Sequence, residues 1–242
     1  MNQTSHYEMT ILVPLYDEEE NMERLEKELS TYLKEALLKT CVLFVNDASK
    51  DNSLDKIKDI CNRNSDFFFI SLAKNQGLSG ALKAGIDSTD SPYVAYIDAD
   101  LQTAPSDFNL LIPYLKEYQL VTGIRANRKD DFVKKISSKV ANGFRRAMTK
   151  DDAEDTGCPL KILHTAYAKR IPFFKGMHRF LPALMLLQEG KVKQLPVRHF
   201  PRTAGVAKYN LRNRMIAPFL DCFAYRWMKK RYINYQIGEK QF

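Results

Sequence analysis

Short apolar runs alternate with amphipathic stretches through the first half of the chain. The runs that indicate buried strands are Thr10–Leu15, Cys41–Asn46, Phe67–Leu72, Tyr93–Asp98 and Leu120–Ile124. Apolar residues at helical spacing predict helices over Glu18 to about Lys39, Leu54–Arg63, Leu78–Asp87 and Ser106–Tyr118. Buried strands that alternate with helices are typical of an α/β domain whose mostly parallel sheet is covered on both faces.

The pattern is less regular after Arg125. It predicts a helix over Ser137–Met148, a loop over Asp151–Pro159 and a further strand over Val192–Val197. An apolar stripe at helical spacing follows, formed by Ile216, Phe219, Leu220, Phe223 and Trp227. We therefore predict a main domain over residues 1–209 and a basic amphipathic helical tail over residues 210–242.

Positive charge is concentrated in this tail. The chain has a formal net charge of +8, and the segment from Arg202 onward holds nine Lys or Arg residues against Asp221 and Glu239. Such asymmetry implies an anionic partner, which is nucleic acid, acidic lipid or a phosphate-bearing substrate. Zinc-finger spacing and an aromatic RNA-binding strand are both absent from the sequence, so we expect no nucleic-acid partner.

The sequence predicts no membrane-spanning segment. Its longest apolar run, Phe180–Leu187, contains Pro182 and is far shorter than the roughly 20 residues that a spanning helix needs. The first ten residues are polar and indicate no signal peptide, and the four cysteines are scattered. We expect a cytoplasmic protein whose amphipathic tail associates with the inner, acidic face of the cell membrane.

Carboxylates follow the predicted strands at the edge where α/β sheets bind ligands. The fourth strand ends in Asp98-Ala99-Asp100. Two carboxylates so close together are stabilised by a divalent cation, and Mg²⁺ typically takes one or two carboxylates together with phosphate oxygens. A solvated turn before Pro105 is the alternative interpretation.

Asp47, at the end of the second strand, is open to two interpretations. Its carboxylate accepts hydrogen bonds from a base or a ribose, or it forms an Asx-turn within the Asp47–Asp51 loop. Gly80 and Gly85 have the spacing of a phosphate-binding P-loop, but Ile86-Asp87 follow where Lys and Ser or Thr are required. The sequence therefore does not support a P-loop NTPase.

Several motifs in order resemble family 2 glycosyltransferases of the GT-A fold. These are Pro14-Leu15-Tyr16-Asp17-Glu18, Asn46-Asp47-Ala48-Ser49-x-Asp51 and Asp98-Ala99-Asp100-Leu101-Gln102. A narrower resemblance, to the polyprenyl-phosphate branch that includes dolichol-phosphate mannosyltransferases, rests on further segments. They are Pro105, Gly123-Ile124-Arg125, Asp155-Thr156-Gly157, His199-Phe200-Pro201-Arg202, Gly205 and Lys208-Tyr209. The resemblance covers roughly Thr10 to Tyr209.

The resemblance implies a Rossmann-like GT-A fold and an inverting transfer of sugar from a UDP- or GDP-sugar to undecaprenyl or dolichyl phosphate. The residues that it implies for donor binding are Pro14, Leu15, Tyr16, Glu18, Asp47, Asp98, Ala99, Asp100 and Gln102. Asp98, Asp100 and Gln102 of this set hold Mg²⁺ or Mn²⁺. The residues implied for the acceptor phosphate are Arg125, Lys139, Arg202 and Lys208. The implied catalytic set is Asp155, Asp100, Arg125 and Arg202, with Asp155 as an orienting group near the acceptor.

The chain departs from the family pattern at several positions. Asp17 replaces the usual Asn, Asn46 replaces the first Asp of the usual pair, and Lys139 and Lys161 stand where Arg is common. The branch often has C-terminal transmembrane helices. Two other functions stay open, namely transfer directly onto a glycolipid or polysaccharide and a non-catalytic nucleotide-sugar-binding module. The sequence has no signal for oligomeric state.

Overall fold

The computed structural model describes residues 3–125, 142–201, 211–235 and 238–239, with side chains described except at 3 and 211–218. One seven-stranded sheet organises these residues, in the order β3-β2-β1-β4-β6-β5-β7. The strands are β1 (Met9–Leu15), β2 (Thr40–Asn46), β3 (Phe67–Ser71), β4 (Tyr93–Tyr96), β5 (Leu120–Arg125), β6 (Lys161–His164) and β7 (Val192–Val197). Every neighbouring pair is parallel except the two that include β6.

Helices cover both faces of the sheet. They are α1 (Met22–Glu35), α2 (Ser53–Arg63), α3 (Gly77–Asp87), α4 (Phe108–Leu111), α5 (142–149), α6 (Thr165–Arg170), α7 (Leu181–Leu187) and α8 (Leu211–Lys229). Leu25 of α1 and Ile57 of α2 pack in one buried apolar cluster, whereas Leu82 of α3 and Leu184 of α7 belong to a second. Among the described helices, none combines the length and the apolar character needed to cross a bilayer.

The five strands predicted in the first half are confirmed, with ends that differ by one or two residues. The helix predicted over 106–118 is wrong as a continuous element. It breaks into a 3₁₀ turn at Pro105–Asp107, the short α4 and a second 3₁₀ turn at Ile112–Tyr114. Pro113 lies inside this segment and has no N–H to donate, so a regular α-helix cannot continue through it.

β6 was not predicted, although it lies near the centre of the sheet. It pairs antiparallel with β4 and with β5, so that Lys161 lies opposite both Tyr96 and Thr122. Its four residues begin with Lys and end with His, and the pattern therefore lacks the apolar run that marks the other central strands. The helices α6 and α7 that follow were also missed, since both are shorter than two full turns.

Three of the loops that follow strands contain a non-glycine residue with a left-handed backbone. These residues are Asp17 (φ 50°), Ala48 (φ 58°) and Leu101 (φ 47°). Asp tolerates this region because its short polar side chain bonds locally, but a Cβ without such bonds costs about 1–2 kcal/mol there. Ala48 is therefore a strained position in the loop after β2.

Replacing Ala48 by Gly is expected to stabilise the protein. Glycine removes the steric strain at φ 58° but loses more conformational freedom on folding, which leaves a net gain of about 0.5–1 kcal/mol in the free energy of unfolding. Urea denaturation measures this difference. Ala84→Gly, inside α3, is the matched control and is expected to destabilise by about 1 kcal/mol. Equal destabilisation by both variants would show that Ala48 is unstrained.

Candidate active site

The loops that follow β1, β2 and β4 lie side by side at one edge of the sheet. The three strands are parallel and adjacent, so their carboxyl ends meet there. The first two loops are bonded to each other, because the N–H of Asp17 donates to Ser49 Oγ (3.0 Å) and that of Glu18 donates to Ser53 Oγ (2.9 Å). Glu18 also accepts a hydrogen bond from Asn21 Nδ2 (2.7 Å). Two of the three loops at this edge, those after β1 and β2, thus brace each other.

The predicted donor-binding residues of β1 are divided between core and edge. Pro14 and Leu15 are buried in the last two positions of the strand, opposite Val45 and Asn46, and Tyr16 follows half-buried. Leu15 O accepts a hydrogen bond from the N–H of Asp47 (2.9 Å). Within this segment, Tyr16 and the loop after it are therefore the part within reach of a ligand, and contact with a nucleoside stays a prediction.

Asp47 binds the beginning of α3. Its two carboxylate oxygens accept hydrogen bonds from the N–H groups of Gln76 (2.7 Å) and Gly77 (2.8 Å). Gly77 has φ +71°, which a residue with a Cβ rarely adopts, so the chain turns sharply into the helix here. The Asx-turn interpretation within the Asp47–Asp51 loop is wrong. The carboxylate instead satisfies backbone donors at a helix N-terminus, and its contact with the nucleoside stays a prediction.

Asp98 and Asp100 stand at the end of β4. Asp98 accepts a hydrogen bond from the Tyr96 hydroxyl, and Asp100 is buried, with Oδ1 accepting from the N–H of Gln102 (3.2 Å). Ala99, between them, is 5% exposed. Burial and the nearby charge of Asp100 raise the pKa of Asp98 to about 6, against the opposing effects of the Tyr96 hydrogen bond, Lys161 and Arg125. Two carboxylates that repel each other at a sheet edge favour a bound cation.

The donor atoms here fit a metal that is shared with a ligand. Across the described ranges, no group of three or more His, Cys, Asp or Glu residues is placed to hold a metal. The predicted set has only two carboxylates, Asp98 and Asp100, together with the amide of Gln102. Mg²⁺ and Mn²⁺ accept such partial sets when phosphate oxygens complete the coordination. The chemistry therefore suits a metal that arrives with a nucleotide diphosphate.

Arg125 and Asp155 form a bidentate ion pair. Arg125 Nε donates to Asp155 Oδ2 (2.7 Å) and its Nη2 donates to Oδ1 (2.8 Å), while the backbone N–H of Arg125 also donates to Oδ2 (3.2 Å). Burial opposes the charged form of Asp155, but the bonds from Arg125 outweigh burial and lower its pKa. Gly157 lies against this pair, since a Cβ there would be 3.0 Å from Arg125 Nη2. The predicted phosphate ligand and the predicted orienting group thus hold each other.

Lys161 is a charged member of the site to which the sequence assigned no role. Its side chain is 1% exposed, and its ammonium donates to the carbonyls of Cys158 and of Thr156, the latter at 3.5 Å. Burial lowers the pKa of Lys161, while its charge stabilises the carboxylates of Asp98 and Asp155. Lys161 and Tyr96 are the two residues near Asp98 that sequence reasoning did not assign to the site.

The predicted motif His199-Phe200-Pro201-Arg202 contacts the site through His199 and Phe200. The N–H of Phe200 donates to the carbonyl of Gln102 (2.8 Å), and His199 Nδ1 lies 3.0 Å from the same oxygen. Arg198 anchors the preceding strand, since its N–H and its Nε donate to the two carboxylate oxygens of Asp107. The predicted acceptor-phosphate residues Lys139, Arg202 and Lys208 lie outside the described residues.

α8 has two apolar sides. Cys222 and Tyr225 are buried in the second core cluster, and the Tyr225 hydroxyl donates to the carbonyl of Ala183 (3.1 Å). The opposite side is exposed, at Phe219 (47%), Leu220 (59%), Phe223 (49%) and Trp227 (62%). The ring of Phe144 on α5 stacks on that of Phe219 at 4.6 Å. The helix therefore packs on the domain and still presents aromatic surface to solvent.

Comparison with known proteins finds relatives over most of the chain. Residues 10–174 match the model of the glycosyl transferase family 2. The chain is 30% identical over 220 residues to dodecaprenyl-phosphate galacturonate synthase from Rhizobium johnstonii, a match that covers 88% of this chain and 65% of the relative. The chain thus spans slightly less than two thirds of that protein.

The fold agrees with solved structures of glucosyl-3-phosphoglycerate synthase from Mycobacterium tuberculosis. One, in complex with Mn²⁺ and UDP-glucose, has a TM-score of 0.64 and 14% identity, and the match covers 99% of this chain and 85% of that one. Another, which also contains phosphoglyceric acid, has a TM-score of 0.67 at 14% identity, with 99% and 86% covered. The sheet and the helices on its two faces are those of the GT-A fold, and the chain belongs to glycosyl transferase family 2.

Proposed function

We propose that the chain is a metal-dependent, inverting glycosyltransferase that moves a sugar from a UDP- or GDP-sugar to a polyprenyl phosphate. The observation that supports this most directly is the grouping of Asp98 and Asp100 with the Arg125–Asp155 pair at one sheet edge. Carboxylates suit a metal–diphosphate donor, and a guanidinium suits a second phosphate. The name of the 30% identical relative, a dodecaprenyl-phosphate galacturonate synthase, supports the same acceptor class.

In this proposal Asp98, Asp100 and Gln102 hold Mg²⁺ or Mn²⁺ against the donor diphosphate. The bound cation would neutralise the negative charge that the leaving diphosphate gains as the glycosidic bond breaks. Tyr16, Glu18 and the Asp47 loop form the nucleoside end of the same edge, braced by the Ser49 bond described above. Donor binding is thus divided between the loops after β1 and β2, at the nucleoside end, and the loop after β4, at the metal end.

Arg125 serves the acceptor in this mechanism. A lipid phosphate is already anionic near neutral pH, because its second pKa is about 6. Such a nucleophile needs positioning and relief from the repulsion of the donor diphosphate more than it needs a general base. Asp155 fixes two N–H groups of Arg125 and so orients the guanidinium. We infer a single displacement with inversion at the sugar carbon, with Arg202 and Lys208 as further phosphate ligands.

The exposed side of α8 supports association with an acidic membrane surface. Phe219, Leu220, Phe223 and Trp227 lie beside Arg226, Lys229, Lys230 and Arg231. Aromatic and cationic groups together favour the interface of an anionic bilayer. Because the polyprenyl chain of the acceptor is embedded in the bilayer, such a position gives the site access to its substrate. We propose a peripheral location on the cytoplasmic face.

Replacing Leu220 and Trp227 together by Ser is expected to weaken membrane binding at least about tenfold, because both lose apolar area that would enter the interface. Sedimentation with vesicles of phosphatidylcholine and phosphatidylglycerol measures the change. Leu37→Ser is the matched control, since Leu37 lies two residues beyond the end of α1 and is 62% exposed. Deleting the whole helix is a poorer test, because it also removes Tyr225 from the core. Unchanged sedimentation of the double variant would contradict the proposal.

Incubation with Mn²⁺ or Mg²⁺, undecaprenyl phosphate and a panel of UDP- and GDP-sugars tests the function as a whole. We expect sugar to enter the lipid phase and the transfer to stop when EDTA is added. Nucleotide release without lipid-linked sugar would point instead to a glycolipid or polysaccharide acceptor. Binding of nucleotide sugars without any transfer would support the non-catalytic module.

A further inference from the structure

His178 is held by the first turn of α3. Its Nδ1 lies 2.7 Å from Ser79 Oγ, and the same oxygen lies within hydrogen-bond distance of the N–H groups of Gly176 (3.1 Å) and His178 itself (3.5 Å). A hydroxyl has two acceptor positions and one hydrogen to donate. Since two N–H groups occupy the acceptor positions, the hydroxyl hydrogen is donated to Nδ1.

This arrangement fixes the form of the imidazole. Burial, reinforced by the charges of Arg179 and Lys161, lowers the pKa of His178 to about 3, so the ring is neutral at any working pH. In a neutral ring whose Nδ1 accepts, Nε2 carries the hydrogen. His178 therefore presents one uncharged N–H donor and neither binds phosphate as a cation nor exchanges a proton in the reaction.

The second nitrogen of His178 is accessible. The residue is half-buried, and Nε2 is not among the fully buried side-chain atoms that lack a partner in the described part of the chain. α8 packs closely against the loop that carries the ring, because a Cβ on Gly176 would collide with the carboxylate of Asp221. The donor is thus held in place and reachable from solvent.

The ring lies at the same edge of the sheet as the proposed donor site, because it is bonded to the first turn of α3. Ser79 is two residues beyond Gly77, whose N–H binds Asp47 at the nucleoside end. On the other side, the charge of Lys161 reaches both His178 and Asp98. A nucleotide sugar that spans from the Asp47 loop to Asp98 would place its sugar beyond the diphosphate, at the edge where the ring lies.

We propose, on the basis of the function proposed above, that His178 is a specificity-determining residue whose Nε2–H donates a hydrogen bond to a hydroxyl of the donor sugar. A neutral donor in a fixed orientation suits a sugar hydroxyl, whereas the diphosphate is served by the metal and by cationic side chains. His178 then contributes to the binding of the sugar unit and little to the binding of the nucleotide.

Two substitutions test the roles of the two ring nitrogens independently. In His178→Asn the amide oxygen takes the place of Nδ1 and keeps the Ser79 bond, but the outward donor is lost. In His178→Gln the amide nitrogen takes the place of Nε2 and keeps the outward donor. Calorimetry in Mn²⁺ compares UDP-glucose, UDP-galacturonate and GDP-mannose with UDP and GDP alone. We expect His178→Asn to bind the best nucleotide sugar about tenfold more weakly and the free nucleotide within about twofold, and His178→Gln to stay within about threefold for both.

The outcomes are distinguishable. Unchanged binding of the nucleotide sugar by His178→Asn, or equal weakening of sugar nucleotide and free nucleotide, overturns this proposal alone. Wild-type protein that binds none of the five probes overturns the proposed function and this inference with it. A measurement that needs no folded variant is ¹⁵N NMR of the wild-type protein, which has four histidines. The Nε2–H signal of His178 is expected to shift with the nucleotide sugar and not with the nucleotide, and the absence of that difference overturns the proposal.

Discussion

Asp100→Asn is expected to lower sugar transfer about a thousandfold, because it removes a charged metal ligand at the position where the leaving diphosphate gains charge. The variant keeps an oxygen that accepts from the N–H of Gln102, so the loop keeps its 3.2 Å hydrogen bond. Steady-state transfer to undecaprenyl phosphate, with and without EDTA, measures the effect. The melting temperature is expected to stay close to that of the wild type.

The control for this prediction is Asp55→Asn on the surface of α2. Within the described residues Asp55 pairs with Lys58, and its side chain is 76% exposed, so its loss is expected to change transfer by less than about twofold. EDTA is expected to reduce wild-type activity to the level of Asp100→Asn and to leave the variant unchanged. Substantial EDTA-sensitive activity in Asp100→Asn would show that the metal is bound elsewhere.

Asp155→Asn is expected to reduce transfer about a hundredfold while nucleotide-sugar affinity changes less than about threefold. The substitution removes the charge that holds the two N–H groups of Arg125, and misoriented phosphate ligands cost roughly this much in rate. If Asp155 acts through Arg125, the variant Arg125→Met has a comparable defect and the double variant is no worse than Arg125→Met alone. Single-turnover transfer at saturating donor measures the rates of the two single variants and of the double variant.

A general base at Asp155 predicts a different pattern. Its loss would abolish transfer rather than reduce it, and the double variant would be worse than Arg125→Met by the full effect of the base. The pH profile above about pH 5 is expected to be flat for either role, because Arg125 already lowers the pKa of Asp155. Abolished transfer with intact donor binding would therefore overturn the orienting role.

The sequence was sufficient to predict the parallel half of the sheet. Buried parallel strands are continuous apolar runs, and in β1 and β2 every residue is buried, so the pattern is strong. The carboxylates after β4 were predicted for the same reason, since a strand end is where a polar group first reaches solvent. The grouping of Asp98 and Asp100 at the ligand-binding edge followed directly from these strand positions.

Contacts between distant segments were not predictable in the same way. Arg125 and Asp155 were both named as site residues, but nothing in their spacing indicated that they bind each other. That contact depends on the short antiparallel β6, and the signal that was available is Lys161, a charged residue directly before the apolar pair Ile162-Leu163. Asp47 is a related case, because its partners at Gln76 and Gly77 lie beyond a further strand.

The place of β6 between β4 and β5 has a consequence for synthesis of the protein on the ribosome. Strands β1 to β4 pair in a block that is complete once Tyr96 has emerged, whereas β5 joins that block only through β6, which ends at His164. The nucleoside end of the site thus belongs to an early, local folding unit, and the Arg125–Asp155 pair forms only after long-range pairing. A nascent chain stalled before residue 160 is therefore expected to lack the acceptor half of its site.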